Sequence, residues 1–167
     1  MKKWLVPTAV LASIFAAAAP AAAAPSGPPT SVEGVEIERQ CGDISPGGEG
    51  FIVEGVLSGG FKEITLPNGT ILSPSPALKV TLTANGKTVS YVITGVTRTT
   101  NFADRTEVVA TGKNLITRPD EDPGPAVVGG LYLTTGNFSF TNNPDGSEQI
   151  PFSGPGRVID VCEVLAP

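Results

Sequence analysis

The stretch ALKVTLTANGKTVSYVI, residues 77–93, constrains the fold of this chain more than any other. Asn85-Gly86 stands between two runs of alternating apolar and polar side chains, and both residues tolerate the positive φ of a two-residue type I′ turn. Such a turn sets Ala84 opposite Lys87, so that Leu82 faces Val89, Val80 faces Tyr91 and Leu78 faces Ile93. All six of these apolar residues fall on one face. Lys79, Thr81, Thr83, Thr88, Ser90 and Val92 take the other. A slip of one residue would exchange the two faces. Turn chemistry and side-chain pattern therefore specify the same antiparallel hairpin.

Two further turns pass the same test. Pro144-Asp145-Gly146 fits a type I turn followed by a left-handed glycine, which pairs Asn143 with Ser147, Phe140 with Ile150 and Phe138 with Phe152. Pro67-Asn68-Gly69 pairs Leu66 with Thr70 and brings Ile64 to Leu72. Runs rich in Val, Ile, Thr, Phe and Tyr predict additional strands at 35–41, 51–58, 106–112, 131–140 and 157–164. Helix signals are nearly absent. The expectation is an all-β domain, an antiparallel meander of about eight to ten strands closing into a barrel, with a two-sheet sandwich as the alternative. TRPDEDPGPAVVGG, residues 117–130, is the one long irregular connection.

Ahead of this domain the chain reads MKKW, then LVPTAVLASIFAAAA, then PAAAAPS. A positive n-region, an apolar h-region and a small-residue tract make a secretory signal peptide, residues 1–24, with A-x-A cleavage sites around Ala21 to Ala24. Proline just after a cut is poorly accepted, which favours a cut before Ala24. The apolar run contains a proline and is short for a bilayer core of roughly 30 Å, so no membrane span is expected in the mature form. Residues 25–32 carry Pro, Ser, Gly and Thr without periodicity and read as a flexible tail, leaving 33–167 as a single β domain. LPNGT, residues 66–70, transposes the Thr and Gly of a sortase signal and sits far from the C-terminus; it is a turn.

Loss of Lys2 and Lys3 with the signal changes the net charge from −5 to −7, in a chain that has no histidine at all. An acidic domain without a basic stripe is a poor binder of nucleic acid. The charge favours solubility outside the cell. Without histidine there is no Ser-His-Asp or Cys-His mechanism and no His-ligated metal site. The two cysteines, Cys41 and Cys162, lie in an exported chain and are expected to form a disulfide tying the first strand to the last. Arg39 and Asp160 each precede their cysteine by two and share its face. A parallel pairing would set Arg39 against Asp160, whereas an antiparallel one would set Asp43 there at a cost in like charge, which favours the parallel form.

Enzyme chemistry would fall to carboxylates, lysine or tyrosine. Glu54 shares a strand face with Ile52 and Val56 and is a candidate cavity carboxylate, against the reading in which that face meets solvent. Tyr91, on the apolar face of its hairpin, is a candidate cavity hydroxyl, against the reading of an ordinary core tyrosine. Asp120, Glu121 and Asp122 offer hard oxygen ligands but lack the alternating spacing of a calcium loop, so neither metal nor cofactor is expected. SGPGR, residues 153–157, has no strand-to-helix setting for phosphate. The sequons at Asn68 and Asn137 are expected to stay idle behind a bacterial type of signal.

The segments VEGVLSG, LPNGT, YVITG, VVATGKNL, GNFSF and FSGPGRVIDVC together resemble those of a group of small secreted actinobacterial proteins of uncharacterised function. The resemblance covers most of the chain after the signal and implies export and one β domain; it brings no catalytic residues. Three functions follow as expectations. One is a secreted, non-catalytic protein binding a small apolar ligand in a barrel or an extracellular protein partner on its surface. Another is a histidine-free barrel enzyme of isomerase or cyclase type using Glu54 and Tyr91. The last is a structural protein of envelope interactions.

Overall fold

A computed structural model describes residues 28–43, 46–118 and 130–167. The expected signal peptide, residues 25–27 of the expected tail and the acidic stretch 120–122 lie outside the described residues. Eleven strands and one short helix follow in order: β1 Thr30–Cys41, β2 Phe51–Phe61, β3 Ile64–Thr65, β4 Ile71–Pro74, β5 Leu78–Ala84, β6 Lys87–Ile93, β7 Val96–Asn101, β8 Thr106–Arg118, β9 Gly130–Asn142, β10 Glu148–Ser153, β11 Gly156–Asp160 and α1 Val161–Leu165. The domain is all-β and every strand pairing is antiparallel.

The strands form two sheets. One has the order β1-β2-β5-β6; the other runs β10-β9-β8-β7-β4-β3, with β11 continuing along the β9 edge beside β10. An uninterrupted meander would keep neighbours in sequence side by side. Instead the chain leaves the first sheet after β2, places the β3–β4 hairpin in the second, returns for β5 and β6, and crosses again at β7. Among the described strands no ladder joins one sheet to the other, so the arrangement fits a sandwich as well as a barrel. β1 begins at Thr30, paired with Phe61, so three residues of the expected tail are already in a strand.

The central hairpin has the register its turn dictates, with Leu78 opposite Ile93, Val80 opposite Tyr91 and Leu82 opposite Val89. Asn85 and Gly86 take φ of 51° and 73°, the left-handed pair that a type I′ turn requires. Ile64 meets Leu72 as the Pro-Asn-Gly turn implies. The third hairpin departs from expectation. The Asn143 amide does donate to the carbonyl of Ser147, but along β10 the partners become Ile150 with Thr141 and Ser153 with Ser139. Pro151 has no amide hydrogen to give the ladder, and β10 absorbs one extra residue on each side of Ile150. Phe138 and Phe152 still meet, as rings 6.1 Å apart rather than as directly paired residues. In that turn the Ser147 hydroxyl and amide both donate to Asp145, which holds its carboxyl below the ordinary value.

The core lies between the sheets. Val53, Val80, Leu82, Leu131, Val161 and Leu165 are all fully buried; each such side chain contributes roughly 1.5–3 kcal/mol of apolar transfer. Alternation puts Ile37, Arg39 and Cys41 of β1 inward with Val53 and Gly55 of β2. Gly55 is there because nothing larger fits: a Cβ would stand 2.7 Å from Ile37 and 2.9 Å from Leu82.

The C-terminal run corrects the sequence reading most. Expected as a strand through 164, it turns helical at Val161, where the Asp160 side chain accepts the amide hydrogen of Glu163 at 3.1 Å and caps the first turn. Val161 and Leu165, four apart on one helix face, are both buried. Cys162 bonds to Cys41 with 5.4 Å between the Cα atoms. The disulfide thus staples the end of the first sheet to a helix beyond the second. Neither proposed pairing of the cysteine strands forms: β1 pairs with β2, β11 pairs with β9, and Asp160 meets neither Arg39 nor Asp43 across a ladder.

Candidate functional site

Residues of both sheets line a half-open cleft of about 220 Å³. The first sheet supplies its apolar wall: Ile37 from β1, Leu57 from β2, Leu78 and Val80 from β5, Ile93 from β6. The second sheet faces these mostly with small or polar groups, Ser73 from β4, Ser75 just after it, Thr97 from β7, and Asn114 and Thr117 from β8, with Leu115 of β8 the one aliphatic residue among them. Bulky aliphatic residues on one wall opposite serine and threonine on the other explain the space: the side chains are too short to meet. The volume equals roughly seven water molecules at about 30 Å³ each.

One charged group stands in this lining. Arg39 points inward by alternation with Ile37 and Cys41, and its Nε donates to Thr117 Oγ1 across the two sheets at 3.2 Å. Its Nη1 donates to the carbonyl of Glu38 at 2.6 Å. Asn114, nearly fully buried, donates from Nδ2 to the carbonyl of Thr111 at 3.1 Å, and its amide packs against Gly95.

Neither sequence candidate lines the cleft. Glu54 lies on the outer face of the first sheet, exposed, opposite Glu38 and Thr83 and between the exposed Ile52 and Val56. Tyr91 packs against the core, where burial raises its phenol above the ordinary 10.0, and the Lys113 ammonium sits 5.9 Å from its ring centroid. The two are therefore not brought together as a catalytic pair. The sequence places Arg39 on the face of Cys41 and, in the parallel pairing it favours, against Asp160. The strand alternation that fixed Cys41 as buried also fixed Arg39 as inward, and that was the available signal for its place in the cleft.

Among the described residues no group of three or more Cys, Asp or Glu is placed to hold a metal ion, and no helix is long and apolar enough to cross a membrane. Set against known protein families, characterised proteins and solved structures, the chain matches none.

Proposed function

We propose that this is a secreted, non-catalytic binding protein that holds a small ligand, apolar in body and polar at one end, in the cleft between its sheets. The observation that carries this reading is the lining itself: an aliphatic wall with one guanidinium beside it, facing a wall of hydroxyls, one amide and Leu115, the composition of a small-ligand site. In this reading the sheets work as a sandwich with the cleft as the binding mouth. The disulfide suits an oxidising compartment outside the cell.

The lining also argues against the enzyme alternative. Its only titratable group is Arg39, and a guanidinium does not exchange protons near neutral pH. Glu54 and Tyr91, on which an isomerase or cyclase would have depended, are elsewhere. Native mass spectrometry of the protein purified from the medium of its own host tests the proposal. A retained small molecule released on unfolding is the expected result. A protein that flies only bare, or only in complex with another polypeptide, would contradict it and favour a surface role.

A further inference from the structure

We propose that the cleft selects a small aliphatic monocarboxylic acid, and that Arg39 takes its carboxylate. The inference rests on the cleft being the ligand site and adds the chemical class of the ligand.

Arg39 is the odd residue of the inner face. It stands, partly exposed, beside Ile37 at the edge of the aliphatic wall, where an incoming carboxylate would meet a cation and an apolar surface together. Arg105, the comparison within the same molecule, pairs with both Asp104 and Glu107. No carboxylate among the described residues forms an ion pair with Arg39. Its two hydrogen bonds, to Thr117 and to the Glu38 carbonyl, engage two of the five N–H donors a guanidinium carries. They also fix its plane, since one anchors it across the sheets and the other along its own strand. Three N–H groups of a side chain that lines the cleft remain for a ligand. A carboxylate accepts a guanidinium fork through two parallel charge-assisted hydrogen bonds.

The surroundings narrow the class. Arg39 is the one cation in the lining; Ser73, Ser75, Thr97, Asn114 and Thr117 are neutral, and the whole chain is acidic at −5. A single negative charge matches that balance better than a phosphate dianion, which needs more than one cation. Space for roughly seven water-sized groups suits a body of about six carbons rather than a long acyl chain.

The test is a ¹H–¹⁵N NMR titration of the full chain at neutral pH with sodium hexanoate and, separately, with hexan-1-ol, repeated on Arg39→Gln. Both probes should shift the amides of Leu57, Thr97 and Leu115, with hexanoate saturating at a concentration about tenfold lower or better, the size of one charge-assisted contact. Arg39→Gln should abolish that preference, so that hexanoate and hexan-1-ol saturate alike on the variant. Equal saturation by the two probes in the unaltered protein overturns the carboxylate inference while the cleft reading stands. A preference that survives Arg39→Gln overturns the assignment to Arg39. No response in the cleft to either probe overturns the cleft reading as well. The comparison of probes on the unaltered protein needs no variant, so it holds even where Arg39→Gln fails to fold.

Discussion

Asp160 shows how much one side chain decides. The run VIDVCEVL is apolar except for Asp160 and Glu163, and nothing in the periodicity of its apolar residues separates a short buried strand from a short buried helix. The separating signal is a spacing: Asp160 and Glu163 stand as an N-cap and its third residue, the capping-box arrangement. By ending β11 and starting α1, that carboxylate turns Val161 and Leu165 into the core and delivers Cys162 to Cys41. Asp160→Ala should cost about 0.5–2 kcal/mol of stability in urea unfolding, and Asp160→Asn close to nothing, because asparagine caps as well. A stability loss equal for both variants would mean that charge, not capping, is what Asp160 contributes.

At the scale of elements, legibility followed the range of the contacts. The β5–β6 hairpin was readable to the residue because its turn and its side-chain alternation are local and agree. Here Asn85 has a second duty, donating from Nδ2 to the carbonyl of Leu165 at 2.9 Å, while Lys87 reaches the carbonyl of Ala166. The turn that defines the hairpin therefore also holds the end of the terminal helix. Gly86→Ala should cost about 1–2 kcal/mol, since nothing lies within 4 Å of an added Cβ and the penalty is the left-handed backbone alone. Thermal unfolding followed by circular dichroism checks it; an unchanged midpoint would show that the turn can relax out of its left-handed form. The β9–β10 hairpin was misread for an equally local reason. Its turn was assigned correctly, but Pro151 removes a ladder donor and the strand bulges around Ile150.

The whole molecule was the least legible. That strands were antiparallel and numerous followed from pattern, but which strand joined which sheet is set by pairings of residues far apart in sequence. No local rule reveals that β3 and β4 pair away from β2 and β5. The cleft was hidden for the same reason: its walls come from both sheets, and only the packing of one sheet on the other brings Thr97 and Ser73 to one cleft with Leu57 and Leu78. The disulfide, by contrast, needed only compartment and count. It closes a separation of 121 residues between the sheets, so its replacement by a pair of serines, Cys41→Ser with Cys162→Ser, should remove about 4–5 kcal/mol in the chain-entropy limit. Chemical denaturation of the two forms measures that difference; a loss below about 1 kcal/mol would mean that the reduced chain already keeps its ends together. The central claim, that the space between the sheets is a ligand site, is tested most directly by closing it. Thr97→Trp puts an indole where a threonine faces the aliphatic wall. Uptake of hexan-1-ol by this folded variant, followed by NMR at Leu57 and Leu115, is the measurement. The account predicts that uptake is lost with no loss of stability, and saturation at the same concentration as in the parent protein would contradict it.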